Sequence, residues 1–282
     1  MAQAVSPVVV MRFFLVGLAA ADFSSWDRVL KRHVAVNGSA AGIPIHKVDY
    51  CSIAADPDFA AFKTELASAN AANLTKAEVY ALYMNAYNAL AVDMIIRHPR
   101  PARRLGKCIS SITDIGVLPA LTVWDEFAGV VAGKNMSLNE IEGLLRDPSP
   151  LGYDEDCRVH GCIVCASVSC PNLRAEAYTV ERLDEQMTDN VKDWLASTGK
   201  GVAVTGDHLT ASHILSPTPW FAADFTKCDG SPLAFMAKYG TAEVQQFIAE
   251  HSEVSLSYYP YNWTLNGDAP CDCSDGATDA LI

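Results

Sequence analysis

The segment from Thr75 to Arg97 constrains the fold more than any other. Thr75-Lys-Ala-Glu78 has the capping-box spacing, in which the Thr side chain takes a first-turn amide and the Glu three residues on reaches back. The apolar pattern then runs to Arg97 and stops before Pro99, since the residue ahead of a proline is pushed away from helix. Its residues are apolar nearly all round, so no face is suited to water and the helix must be enclosed. Enclosure needs layers on every side, and 282 residues supply one large domain's worth.

The flanking elements are mostly helical. Trp26, Val29, Leu30, His33 and Val34 recur at helical spacing, and Phe59, Phe62 and Leu66 form one face of a helix over 58–69. Ser137-Leu-Asn-Glu140 repeats the capping box and opens a short helix. Leu183, Met187, Val191 and Leu195 mark a helix starting at Thr179 and ending at Gly199. Ser231-Pro232 reads as the cap and first residue of a helix that stops at Gly240, and another follows to His251. Strands are fewer: a hairpin over 202–211 turning at Gly206-Asp207, a late strand over 254–259, and a buried strand over 158–168. Without a βαβ rhythm or a Gly-rich phosphate loop, the pattern predicts an α+β domain. It is mostly helical, around a small, largely antiparallel sheet, with the 75–97 helix buried at its centre.

Three segments follow. Residues 1–21 read as a signal peptide, because Met11 to Ala21 places one positive charge, a short apolar run and small residues in secretory order. Residues 22–266 form the domain, and 267–282 a polar tail carrying Cys271 and Cys273. Sequons at Asn37, Asn73, Asn135 and Asn262 fit a secreted or extracytoplasmic chain, with a cytoplasmic one as the alternative. Asn37 falls in a stretch that reads as a surface loop. A net charge of −12 speaks against a phosphate backbone as partner, so no nucleic-acid role is expected. Neither is a stable membrane span. The partner expected is a small molecule or peptide, and no cofactor motif stands out.

Chemistry concentrates between Arg158 and Pro171. On a strand His160, Cys162, Val164, Ala166 and Val168 share a face, and Cys170 falls past its end, before Pro171. A thiol there is placed like a nucleophile in a cleft, and an imidazole lowers a thiol's pKa. Ten extended residues, however, would hold His160 about 30 Å from Cys170. Cys162-x-x-Cys165 has a zinc-ribbon gap, but on a strand the two point to opposite faces, so no metal site is expected. In the central helix Glu78, Asn85 and Asn88 share a face; the amides either form a structural network or line a site. Glu78 and Glu140 are explained by capping, whereas Glu142 is not and is the better functional acid.

The order Trp26, Val48-Asp-Tyr50, Glu78-x6-Asn85-Ala-Tyr-Asn-Ala-Leu90, Leu138-Asn-Glu-Ile-Glu142-x-x-Leu-Arg146, Arg158-Val-His160, Ser169-Cys-Pro171-x-Leu173, Trp220-Phe221-x-x-Asp224-Phe225 and Tyr261-x-Trp263-x-Leu-Asn266 resembles the domain of unknown function 547 (DUF547) family. The resemblance implies a single α+β domain, often behind a secretion signal, and supplies no reaction. It carries over Glu78, Asn85, Asn88, Glu142, Arg146, Arg158, His160, Cys170 and Asp224. The family's usual histidine after Ile-Glu is Gly143 here, and its Tyr-Asp-Trp is Tyr261-Asn262-Trp263.

Two functions compete. In a thiol-dependent hydrolase or acyl transferase, Cys170 is the nucleophile, His160 the base and Glu142 or Asn85 its orienting partner. Arg158 then binds an anionic group, with Glu78, Asn85, Asn88 and Asp224 as further binding positions. In a non-catalytic binding domain the same polar residues are structural and Cys170 is inert or disulfide-bonded. Metal-assisted hydrolysis by His160, Glu142 and Glu78 needs more histidines than the motifs provide.

Overall fold

The computed structural model describes residues 22–116 and 122–275. The leader expected over 1–21 lies outside the described residues, as does the end of the tail, 276–282.

The central helix forms as its sequence dictates. It spans Lys76–Arg97 (α4 in chain order) with both halves of the capping box made, Thr75 Oγ1 accepting from the Glu78 amide and Glu78 Oε2 from the Thr75 amide. Every residue from Val79 to Ile95 is buried. By length and composition it is apolar enough to cross a membrane, where no segment was expected to be. Its apolar window, however, is 94% buried inside the protein, so the helix spends that surface on the core.

Around it pack α1 (Ser24–His33), α2 (Tyr50–Ala55), α3 (Pro57–Ser68) and α5 (Leu138–Arg146). Trp26 of α1 stacks on Phe62 of α3 with ring centroids 5.6 Å apart. The second capping box, Ser137 with Glu140, opens α5. A second apolar cluster is built from α6 (Leu183–Ala196), α7 (Ala222–Asp229), α8 (Pro232–Tyr239) and α9 (Ala242–Glu250). Helix α6 begins four residues later than its periodicity suggests. The Gln186 side chain binds the Thr179 amide and the Ala177 carbonyl, which holds that stretch as a loop.

The fold is α+β, with three small sheets among the described residues where one was expected. Strands β1 (Val34–Ala40) and β2 (Ile43–Val48) form one antiparallel hairpin, β3 (Phe127–Val131) and β4 (Lys134–Ser137) another. The third sheet joins the hairpin β5 (Val202–Thr205) and β6 (His208–Ala211) to β7 (Leu256–Tyr258), which runs parallel to β6. Asn37 is thus an exposed strand residue of β1 rather than part of a loop.

The strand expected over 158–168 is the principal correction. Residues Cys157–Gly161 form a 3-10 helix, capped by Asp156, and the chain then turns irregularly through Ala166 at φ 58°. Side-chain amides satisfy this backbone in place of a sheet ladder. Asn88 donates to the Cys162 carbonyl (3.0 Å) and accepts from the Val164 amide (2.8 Å), and Asn190 of α6 donates to the Gly161 carbonyl. Apolar, β-branched composition therefore marks burial here, not extension.

Three disulfides pin the periphery. Cys51–Cys273 and Cys108–Cys271 strap the tail to the domain, with Cα atoms 5.3 and 5.8 Å apart. Cys157–Cys228 joins the 3-10 helix to α7 at 6.0 Å.

Candidate functional site

The irregular run after His160 removes the distance that an extended strand would impose. His160 and Cys170 both line one cavity of about 510 Å³, which opens along the seam between the two apolar clusters. Its walls are largely aromatic, with Trp124, Trp220, Phe221, Tyr261 and Trp263 prominent among them.

His160 sits at the end of the 3-10 helix, its ring packed against Phe221 (4.5 Å) and Phe225 (5.0 Å). Its Nε2 lies 2.8 Å from Asp224 Oδ2 on α7. The Cys157–Cys228 disulfide ties together the two elements that carry this pair. With Nε2 donating to the carboxylate, Nδ1 is the basic nitrogen. Asp224 is also gripped by Arg146, Nε to Oδ2 at 2.7 Å and Nη2 to Oδ1 at 3.2 Å. Burial alone would raise the Asp224 carboxyl, but His160 and Arg146 outweigh it and hold the group far below the usual carboxylate range.

Glu142, one turn before Arg146 on α5, completes the polar wall. Its Oε1 is 3.7 Å from Arg146 Nη1, and its Oε2 accepts from the Tyr87 hydroxyl at 3.4 Å. Burial pushes this carboxyl up, and the nearby His160, Arg146 and Tyr87 offset that only in part. The Arg146 guanidinium lies 4.6 Å over the Phe221 ring. Tyr87, Glu142, Arg146, Asp224 and His160 therefore form one linked array.

Cys170 occupies the opposite chemistry. Its Sγ accepts from the Cys165 amide at 3.0 Å. Burial would raise this thiol. Hydrogen bonds from Cys165 and Tyr261, with the charge of Lys200 behind them, bring it below the ordinary cysteine value. Lys200 is itself buried, its Nζ donating to Asn172 Oδ1 at 2.6 Å. Cys165, whose Sγ lies 3.0 Å from the Tyr261 hydroxyl, is driven well above its usual value by burial and by Cys170.

The remaining sequence candidates sit elsewhere. Glu78 serves the capping box of α4. Asn85 binds both the amide and the carbonyl of Tyr178, and Asn88 holds the 162–164 turn, so both amides clamp loops onto the central helix. Arg158 is paired with Asp156 (2.7 Å) and Asp184 (2.8 Å), away from the cavity, and Arg146 is the guanidinium on its wall. Cys162 faces Met187 of α6 while Cys165 faces the cavity, so the pair does not chelate. Among the described residues no group of three or more His, Cys, Asp or Glu side chains could hold a metal ion.

The family described as "Protein of unknown function, DUF547" has a model that matches residues 71–195. Over those residues, less than half of its length, the chain is similar to that family. Neither the curated proteins nor the solved structures compared with the chain include a match.

The DUF547 span contains Glu142, Arg146, His160 and Cys170, whereas Asp224, Tyr261 and the Trp220 and Trp263 walls lie beyond its end. Parts outside the matched span thus complete the cavity. Gly143, where the resemblance implies a histidine, is exposed, and a Cβ built on it meets nothing within 4 Å. A side chain there would meet no steric obstacle at its Cβ, and Asn139 and Arg146, one turn to either side of it on α5, line the cavity. Asn262 uses its side-chain oxygen to accept the Thr264 amide at 3.0 Å, within its own turn. Residues missed from sequence include Cys165, Lys200 and Trp124. Cys165 carries a visible signal, being the second thiol in the run, but its spacing suggests only half of a zinc-ribbon gap that strand geometry sets aside.

Proposed function

We propose that the chain is a thiol-dependent hydrolase or acyl transferase acting in an oxidising, extracytoplasmic compartment. One observation carries this reading: Cys170 shares an aromatic cavity with a His160 that is anchored to Asp224. Cys170 Sγ attacks an acyl carbon held against the aromatic wall. The thiol proton passes to His160 Nδ1, directly or through one water, and Asp224 stabilises the imidazolium; the bond from the acyl carbon to the leaving group then breaks, the imidazolium returns its proton to that departing group, and a thioester remains on Cys170. Arg146 fixes Asp224, and Glu142 accepts from Tyr87 and pairs with Arg146 within the same array. Hydrolysis or transfer to a second acceptor then releases the acyl group. The substrate class is a small molecule or peptide with an apolar or aromatic acyl part, which the cavity lining suits. Three disulfides support the oxidising compartment.

The alternative, a ligand-binding domain without catalysis, draws on the structural use of Asn85 and Asn88. Activated esters and thioesters of graded acyl length separate the two readings. Intact-mass analysis should show an acyl group on Cys170 that is lost with time in the wild type and absent in Cys170→Ala. Failure of every acyl donor to modify Cys170, under conditions where the same compounds bind, overturns the catalytic reading.

A further inference from the structure

Six of the nine cysteines are in disulfides, and three are not: Cys162, Cys165 and Cys170. Cys162 is turned toward the Met187 carbonyl of α6. Cys165 and Cys170 both line the cavity, 9% and 4% exposed. The chain reverses between them through the positive φ of Ala166, which brings the Cys165 amide to 3.0 Å from Cys170 Sγ. The Cys165 sulfur is itself held by the Ser167 and Tyr261 hydroxyls, at 3.5 and 3.0 Å.

We propose that Cys165 and Cys170 act as a dithiol that exchanges with low-molecular-weight disulfides entering the aromatic cavity. The proposal rests on the reading of Cys170 as the nucleophile and adds a second reaction at the same sulfur. The two thiols are split as exchange requires. Cys170 is lowered and attacks first, while Cys165 is raised and waits as the resolving thiol.

The steps balance. The Cys170 thiolate attacks one sulfur of a disulfide RSSR. The S–S bond breaks, a mixed disulfide forms on Cys170, and RS⁻ leaves and takes a proton from water. Cys165 then gives its proton to water and attacks Cys170 Sγ, expelling the second RS⁻, which takes up a proton from water in turn. In sum the protein dithiol loses two electrons and becomes the Cys165–Cys170 disulfide, while RSSR gains them and becomes two RSH. Because both sulfurs are nearly buried, the cavity is the route of entry, which favours a small disulfide over a folded partner. Oxidation also removes the Cys170 thiolate, so the same exchange switches off acyl chemistry.

The test uses the full chain with its three structural disulfides intact and 2-hydroxyethyl disulfide as the probe. After exposure and acid quench, peptide mapping of the wild type should show a Cys165–Cys170 disulfide, with reactive thiols falling from three to one. Cys165→Ser should instead retain the mixed disulfide on Cys170, and Cys170→Ser should give neither product. A stable mixed disulfide in the wild type, or Cys165 still open to alkylation after Cys170 is oxidised, overturns the pairing. Iodoacetamide labelling of the untreated wild type separates the two levels. If Cys170 labels but no internal disulfide forms, the dithiol falls and the nucleophile stands. If Cys170 neither labels nor exchanges, both fall.

Discussion

Replacing Asn88 with leucine should destabilise the protein more than any exposed polar substitution, because one side chain holds both ends of the turn that leads to the thiols. Asn88 is buried in the middle of α4, with its Nδ2 3.0 Å from the Cys162 carbonyl and its Oδ1 2.8 Å from the Val164 amide. Leucine is close in size but satisfies neither group. Each buried polar group left without a partner costs about 1–3 kcal/mol, so two give about 2–6 kcal/mol, a large share of the roughly 5–15 kcal/mol that holds a domain together. At about 2–4 °C per kcal/mol for a chain of this size, the melting temperature should fall by roughly 4 °C or more. Urea denaturation followed by circular dichroism gives the free energy, and the Glu78→Gln variant is the control, since it touches only an exposed capping box worth about 1 kcal/mol. A loss below about 1 kcal/mol for Asn88→Leu would refute the claim that side-chain amides, rather than strand pairing, hold this segment.

The other predictions concern the cavity. Asp224→Asn should shift the pH midpoint of Cys170 alkylation upward and cost about 2 kcal/mol in urea, because His160 and Arg146 lose a shared carboxylate; an unchanged midpoint would remove His160 from the activation of Cys170. Lys200→Met should also raise that midpoint, read by the same labelling, since the ammonium favours the thiolate. Burial lowers Lys200 to about 8, below its ordinary 10.5, so the unfolded chain binds more protons between those values and wild-type stability should gain up to about 3 kcal/mol as pH rises from about 8 to 10.5. Lys200→Met should lose that gain, and a variant with the wild-type slope would contradict the burial argument. Gly143→His should leave the melting temperature near wild type, because a Cβ at that position meets nothing within 4 Å; a marked fall would show that the added side chain clashes.

Local signals were legible where they coincide with global need. The capping boxes of α4 and α5 and the Ser231-Pro232 start of α8 announce helices that the core also requires. The hairpin at Gly206-Asp207 carries an ordinary turn signal. The hairpins β1–β2 and β3–β4 turn instead at Ala41-Gly42 and Ala132-Gly133, where an alanine adopts φ 50° ahead of a glycine at φ 77° and φ 75°. Alanine is not a residue that marks such a turn, so the strands passed unseen. The segment after Arg158 failed for a different reason. Its composition reports burial, and two periods of alternation cannot reveal that Asn88 and Asn190 supply the partners.

The site divides along the same line. Cys170, His160 and Glu142 could be picked out by residue type and motif, and all three line the cavity. That they share it depends on the reversal at Ala166 and on Asp224, which arrives from α7 more than sixty residues away in sequence. Long-range placement of that kind has no local signature. The resemblance named Asp224 and Arg146 without saying that they hold one another, and only the structure shows the salt link.

The most direct test of the account is the pH dependence of Cys170 alkylation in the native wild-type chain, mapped by peptide and compared with His160→Ala. Rapid labelling of Cys170 below about pH 7, well ahead of Cys162 and Cys165, and a midpoint that rises when His160 is removed, are the predicted results. Labelling of Cys170 only at alkaline pH or only after unfolding, or a profile that His160→Ala leaves in place, would contradict it.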